Sequence, residues 1–136
     1  MVAYLDSSAA VKLAHRENCS EALVAWLNAR ADLVMVSSVL VEVELQRALF
    51  RYDPAALAHV PGVVARLVRI ELSEGIRSIA AAYRHATLRT LDAIHLATAC
   101  FVSSHIGQTL DAFVAYDARL NEFALGEHLR VVSPGA

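Results

Sequence analysis

A chain of 136 residues, 57% apolar and 19% charged, has the size of one ordinary domain and enough apolar side chains to close a core, which excludes intrinsic disorder. Its formal net charge of −2 speaks against a basic nucleic-acid coat protein, although 11 of its 12 basic residues are Arg, the side chain suited to bidentate phosphate contacts. The longest uncharged stretches are broken by His, Ser, Gly or a charge before they reach the roughly 18 apolar residues of a membrane span, and the N-terminus lacks a basic-then-apolar leader. Cys19 and Cys100 are too few for a disulfide framework and sit in no metal-binding spacing. A reduced, cytoplasmic protein of one domain spanning residues 1–136 is expected.

The elements follow in chain order. Residues 2–5 read as a strand, stopped by Asp6-Ser7-Ser8, residue types that cap helices. A short helix is predicted over residues 8–13, and a second over 20–30 with Leu23, Trp26 and Leu27 at i, i+3, i+4. A strand at 33–36 precedes Ser37-Ser38, which cap a helix running to residue 52, and Asp53-Pro54 ends it. Residues 54–65 read as short helical turns interrupted by Pro61-Gly62. A strand at 67–72, a helix opened by Ser73-Glu74 and running to 85, and a helix capped by Thr90 and running to 103 come next. A strand at 112–116, a helix at 118–125 closed by Gly126 and a short strand at 130–132 complete the chain. This alternation points to an α/β fold with a mainly parallel sheet.

Two acids stand directly after predicted strands, Asp6 and Asp117. Ligands of open α/β sheets bind beyond the carboxyl ends of strands, so these two can converge, whereas either alone reads as a turn or cap. Asp111 precedes its strand and reads as a turn residue at the opposite edge. Asp92 lies in the first turn of its helix, where an acid also complements the helix dipole. His95 shares its face at i+3 and reads as a packed, hydrogen-bonded residue ahead of a direct ligand. Glu42 and Glu44 flank the apolar stripe Val41, Leu45, Ala48, Leu49 on opposite edges, about 200° apart. Only one of them can face a given site. Arg47 and Arg51 fall on the Glu44 side, and spacing alone slightly favours Glu44 as the acid of a phosphate-handling site.

With these residues in place, the chain resembles PIN-domain ribonucleases, specifically the VapC-type toxins of toxin–antitoxin pairs. The resemblance is carried by Tyr4-Leu-Asp-Ser-Ser-Ala-Ala-Val-Lys-Leu13, by Val36-Ser-Ser-Val-Leu-Val-Glu-Val-Glu-Leu-Gln-Arg-Ala-Leu49, by Leu91-Asp-Ala-Ile-His-Leu-Ala-Thr-Ala99 and by Phe113-Val-Ala-Tyr-Asp-Ala-Arg-Leu120. It implies a three-layer α/β/α fold around a parallel sheet and an acidic cluster of Asp6, Glu44, Asp92 and Asp117. Glu44 fits because it lies three residues before Arg47-Ala48-Leu49, whereas Glu42 falls on a variable position. The tail after Arg119 departs from the family, with Asn121-Glu122-Phe123 in place of small residues. The resemblance further implies an RNA substrate, a VapB-type antitoxin and a homodimer.

The chemistry is coherent with that cluster. Four ionised carboxylates in one cleft repel each other, and hard oxygen donors favour Mg²⁺ or Mn²⁺ as the compensating cation. Such a cation serves hydrolysis of a phosphodiester without a covalent nucleophile, so Ser7 and Ser8 read as caps ahead of groups that orient an acid or a phosphate. A haloacid-dehalogenase-type phosphotransferase would require an Asp at position 8, which is Ser. A receiver domain would require an acidic pair and a Lys that are missing, and a Walker-type site would require clustered glycines. The remaining rival is a catalytically silent PIN-like domain acting as a protein- or RNA-binding module.

Overall fold

The computed structural model of the chain describes residues 1–105 and 110–136. Among them five strands form one sheet: β1 (Val2–Leu5), β2 (Val34–Ser38), β3 (Val68–Ile70), β4 (Ala112–Val114) and β5 (Val131–Val132). The sheet order is β3-β2-β1-β4-β5, and every neighbouring pair is parallel. The chain therefore winds outward from β1 in one direction, then crosses back to β4 and winds the other way. The reversal between β1 and β4 is the place where an open parallel sheet leaves a crevice.

Helices cover both faces, as a sheet buried on both sides requires. α1 (Ser7–Ala14), α2 (Ser20–Asn28), α3 (Val41–Tyr52) and α4 (Val60–Ala65) pack with Ala3, Leu5 and Val114 in one core. α6 (Thr90–His105) and α7 (Ala118–Gly126) pack with Val2, Tyr4 and Phe113 in the other, and α5 (Glu74–Ala82) lies against α6. Alternate residues of β1 thus serve opposite layers, as strand geometry dictates. The three-layer α/β/α expectation holds. No helix among the described residues is long and apolar enough to cross a membrane.

Local chemistry moved several boundaries. Ser37 and Ser38 do not cap α3; both are buried in β2, where the Ser37 hydroxyl donates to the Leu5 carbonyl at 2.6 Å. Pro61-Gly62 does not interrupt a helix either. A 3₁₀ turn spans Pro54–His59, and Pro61 then sits in the first turn of α4, where a missing N–H costs nothing. α5 stops at Ala82 because Tyr83 turns to extended backbone. The third and fourth strands are shorter than their apolar runs, and Tyr116-Asp117 form a connection beyond β4.

Candidate active site

Asp6 leaves β1 in an extended conformation and caps α1. Its Oδ1 accepts the Ala9 N–H at 3.0 Å and the Ser8 hydroxyl at 2.6 Å. The Ser8 oxygen in turn accepts the Tyr116 N–H at 2.9 Å. One serine thereby aims an acid and ties the end of β1 to the connection after β4. Asp117 repeats the device one strand over: it caps α7, with Oδ1 accepting the Leu120 N–H at 3.0 Å. Each acid commits one oxygen to a helix N-terminus and has no hydrogen bond to the other among the described residues. Ser8→Ala is expected to cost about 1–2 kcal/mol in urea unfolding, since it removes one of the two bonds to Asp6 Oδ1 and orphans the Tyr116 backbone donor.

The other two acids come from opposite layers. Asp92 stands in the first turn of α6, and His95 follows on the same face. Glu44 projects from α3, and its Oε1 accepts the His95 Nε2–H at 2.6 Å. On the far side of the ring, Nδ1 pairs with the Tyr4 hydroxyl at 2.7 Å. With Nε2 donating to Glu44, Nδ1 accepts from the tyrosine when the ring is neutral and donates to it when the ring is protonated. Tyr4 lies in β1 on the α6 side, stacked on Phe113 at 5.6 Å, so the relay Tyr4–His95–Glu44 runs from the sheet's core to its carboxyl edge. His95 is 1% exposed. It is a packed, doubly bonded histidine, as its place in the sequence suggests.

Sequence spacing left Glu42 and Glu44 in competition; the structure separates them. Glu42 turns out to Arg69 of β3 and is 41% exposed, whereas the Glu44 side chain is 17% exposed against His95. Asp111 lies at the other end of the sheet, where its Oδ2 accepts the Val2 N–H at 2.6 Å. Tyr4 is the residue that the sequence reading passed over. Its signal was there in period two: Tyr4 stands two residues before Asp6, so the two leave the chain on the same side.

Electrostatics couple the acids. Burial pushes the Asp6 carboxyl up to about 6, with Asp92 adding to the rise and His95, Ser8 and the Ala9 amide opposing it. Asp92 is raised by burial and then by the charge of Asp117, Glu44 contributing in the same sense. Burial alone would lower the His95 pKa; the Glu44 hydrogen bond and the charges of Glu44, Asp6 and Asp92 outweigh it, and the net shift is upward. As the side chains stand, no group of three or more His, Cys, Asp or Glu among the described residues is gathered for a metal ion. Glu44 is drawn to His95, and two of the aspartates are drawn to helix ends.

Beside Glu44 a cleft of about 560 Å³ opens between α1 and α3. Its lining includes Ser8, Lys12, Arg47, Arg51 and Tyr52. Arg47 and Arg51 do stand on the Glu44 side. On α2, Leu23 is wholly buried, and Trp26 packs against the same core beneath the Arg30 guanidinium at 4.0 Å. These two side chains are used by the chain's own core.

A model of the PIN domain family matches residues 3–125. Ribonuclease VapC35 of Mycobacterium tuberculosis is 50% identical over 132 residues, covering 97% of this chain and 96% of that protein. Ribonuclease VapC46 of the same species is 37% identical over 131 residues, covering 96% of each. Two solved structures share the fold. VapBC2 from Rickettsia felis, bound to a DNA fragment from its promoter, matches with a TM-score of 0.73 at 12% identity, covering 98% of this chain and 99% of that one. FitAB bound to an IR36 DNA fragment matches with a TM-score of 0.65 at 16% identity, covering 100% and 96%. With one family model spanning most of the chain and relatives this similar along its whole length, the chain belongs to the PIN-domain family, in its VapC-type branch.

Proposed function

We propose that the chain is a divalent-metal-dependent ribonuclease, the toxin of a toxin–antitoxin pair, with Asp6, Glu44, Asp92 and Asp117 as its metal-holding acids. The observation that carries this reading is the electrostatic coupling of these acids, delivered by β1, α3, α6 and the connection after β4 to one edge of the sheet. Hard carboxylate donors fit Mg²⁺ or Mn²⁺: beyond burial, the charge of Asp92 raises Asp6 and the charges of Asp117 and Glu44 raise Asp92, and a cation would offset that repulsion. Such an ion, when bound, supplies Lewis acidity for the phosphodiester oxygens and for an attacking water.

The chain's own part is positioning. The Ser8 hydroxyl and the Ala9 amide fix Asp6 through Oδ1, which leaves Oδ2 as its donor. His95 holds Glu44 by one oxygen. The relatives named as ribonucleases support RNA as substrate, and the solved VapBC2 supports a VapB-type antitoxin as partner. A homodimer acting in the cytoplasm completes the proposal.

The test is cleavage of single-stranded RNA by the purified chain in Mg²⁺ or Mn²⁺ and in EDTA. Glu44→Gln is expected to lower the rate about a hundredfold or more, and Glu42→Gln by less than about threefold, since only Glu44 faces the other acids. Equal losses would remove Glu44 from the site. Full activity in EDTA would remove the metal, and no cleavage under any condition would favour the silent binding module.

A further inference from the structure

The cleft along α3 carries charge that the acids do not explain. Glu44, Arg47 and Arg51 stand at i, i+3 and i+7, one strip of the helix, so Arg47 lies about 4.5 Å and Arg51 about 10 Å farther along the axis than Glu44. Both guanidiniums are exposed, and among the described residues neither makes an ion pair or a side-chain hydrogen bond. The other cation of the cleft is already used. Lys12 pairs with Glu17 at 3.0 Å and lies over the Tyr116 ring at 4.6 Å. Two uncompensated cations therefore line the cleft as it leaves the acids.

An aromatic ring stands at the end of that strip. Tyr52, the last residue of α3, is 50% exposed and lines the same cleft. Its ring is set at 72° to that of His15, 5.5 Å between centroids, and His15 is itself pinned through Nδ1 to Asp53 at 2.5 Å. Asp53 ends α3 and His15 ends α1, so the brace joins two helix ends and gives the exposed ring a fixed orientation.

Guanidiniums spaced along a groove, followed by a braced open aromatic, match the chemistry of single-stranded nucleic acid: phosphates between cations and a base on a π-face. We propose that the α3 cleft is a flanking-nucleotide subsite, in which Arg47 and Arg51 take the backbone phosphates beside the scissile one and Tyr52 stacks an adjacent base. The subsite rests on the nuclease reading above, and it places the grip on RNA on α3, outside the acids. An acidic segment of a protein partner would find the two arginines but gain little from the ring, so a polyanion bearing flat bases is the occupant that uses both.

The experiment is titration of the full chain in EDTA with a fluorescently labelled ten-nucleotide single-stranded RNA of mixed sequence, across a series of salt concentrations. Arg47→Gln and Arg51→Gln are each expected to weaken binding about fivefold to tenfold and to reduce the slope of log affinity against log salt by about 0.7. Tyr52→Leu is expected to weaken binding at least fivefold with the salt slope kept, and Tyr52→Phe to restore it, since stacking needs the ring and not the hydroxyl. Arg84→Gln, outside the cleft, serves as the control. Unchanged affinity in all the cleft variants, with metal-dependent cleavage of the same RNA intact in the parent chain, would overturn the subsite and leave the nuclease reading standing. A parent chain that neither binds nor cuts RNA would overturn both. A cleft that binds a poly-glutamate peptide as tightly as the RNA, with Tyr52→Leu without effect on either, would assign the arginines to a protein partner and overturn the subsite.

Discussion

Asp6→Asn is expected to abolish RNA cleavage, by a hundredfold or more, while making the metal-free protein more stable at neutral pH. The two effects have one cause. Oδ1 of Asp6 already serves the Ala9 amide and the Ser8 hydroxyl, and an asparagine carbonyl in the same place keeps both bonds. Only Oδ2 changes, from a charged donor for a cation to an amide nitrogen. At 3% exposure, the carboxyl is raised from 3.8 to about 6 by burial, so the folded chain holds this proton more tightly than the unfolded chain does. The resulting stabilisation is complete below about pH 4 and is lost as pH rises through about 6; by pH 8 the loss amounts to about 3 kcal/mol. The asparagine variant escapes that loss. Thermal melts in EDTA should show it more stable than the parent by several degrees at pH 8 and little different at pH 4. A variant that cuts RNA at the parental rate would take Asp6 out of the site. One with no gain in melting temperature at pH 8 would show that the buried carboxylate is relieved by some other group.

The second large effect belongs to His95. His95→Ala removes the donor that holds Glu44, takes the His95 ring nitrogen from the buried Tyr4 hydroxyl, and opens a cavity at the junction of two layers. Together these are expected to cost about 3–4 kcal/mol in urea unfolding. A hydrogen bond to a ligating carboxylate also tunes metal affinity, so Mn²⁺ binding by the Ala variant should weaken about 10–100-fold. His95→Gln keeps a donor within reach of Glu44 and is expected to recover most of the affinity while recovering less of the stability, because its amide has no polar atom where Nδ1 meets Tyr4. Calorimetric titration with Mn²⁺, beside circular dichroism of each variant, separates the two losses. If Mn²⁺ affinity is unchanged in both variants, His95 is a core residue and nothing more.

The fold was legible where the signal is local. Apolar runs ending in Asp6 and near Asp117 mark the strands of the central crevice, and the stripe of Val41, Leu45 and Leu49 marks the buried face of α3. Legibility failed where a partner far along the chain decides the outcome. Ser37 and Ser38 look like caps because serine offers the backbone a local bond, but the Leu5 carbonyl of the neighbouring strand, 32 residues away, claims the Ser37 hydroxyl. Glu42 and Glu44 are equivalent to a helical wheel apart from side. What separates them is Arg69, 27 residues from Glu42, and His95, 51 residues from Glu44. Tyr4 and His95 stand 91 residues apart, and no spacing rule joins them. Of the four proposed acids, Asp6 and Asp117 stand out in the sequence by their positions after strands, Asp92 and Glu44 by their helix positions and the PIN resemblance; the electrostatic coupling is visible only in three dimensions.

The capping that Asp6 and Asp117 perform beside their proposed metal role bears on how a chain of this kind would decay. Both hold the first turn of a helix, a task worth about 1 kcal/mol apiece that continues after the last RNA has been cut. Asp92 has no such bond among the described residues, and Glu44 answers only to a histidine. In a lineage released from toxicity, the capping pair would therefore be retained for architectural reasons, while Asp92 would be free to drift and Glu44 would be kept only as long as His95 stays buried beside it. A relative that keeps its strand-end aspartates but has lost the helix-borne acids is better read as a retired enzyme than as a working one.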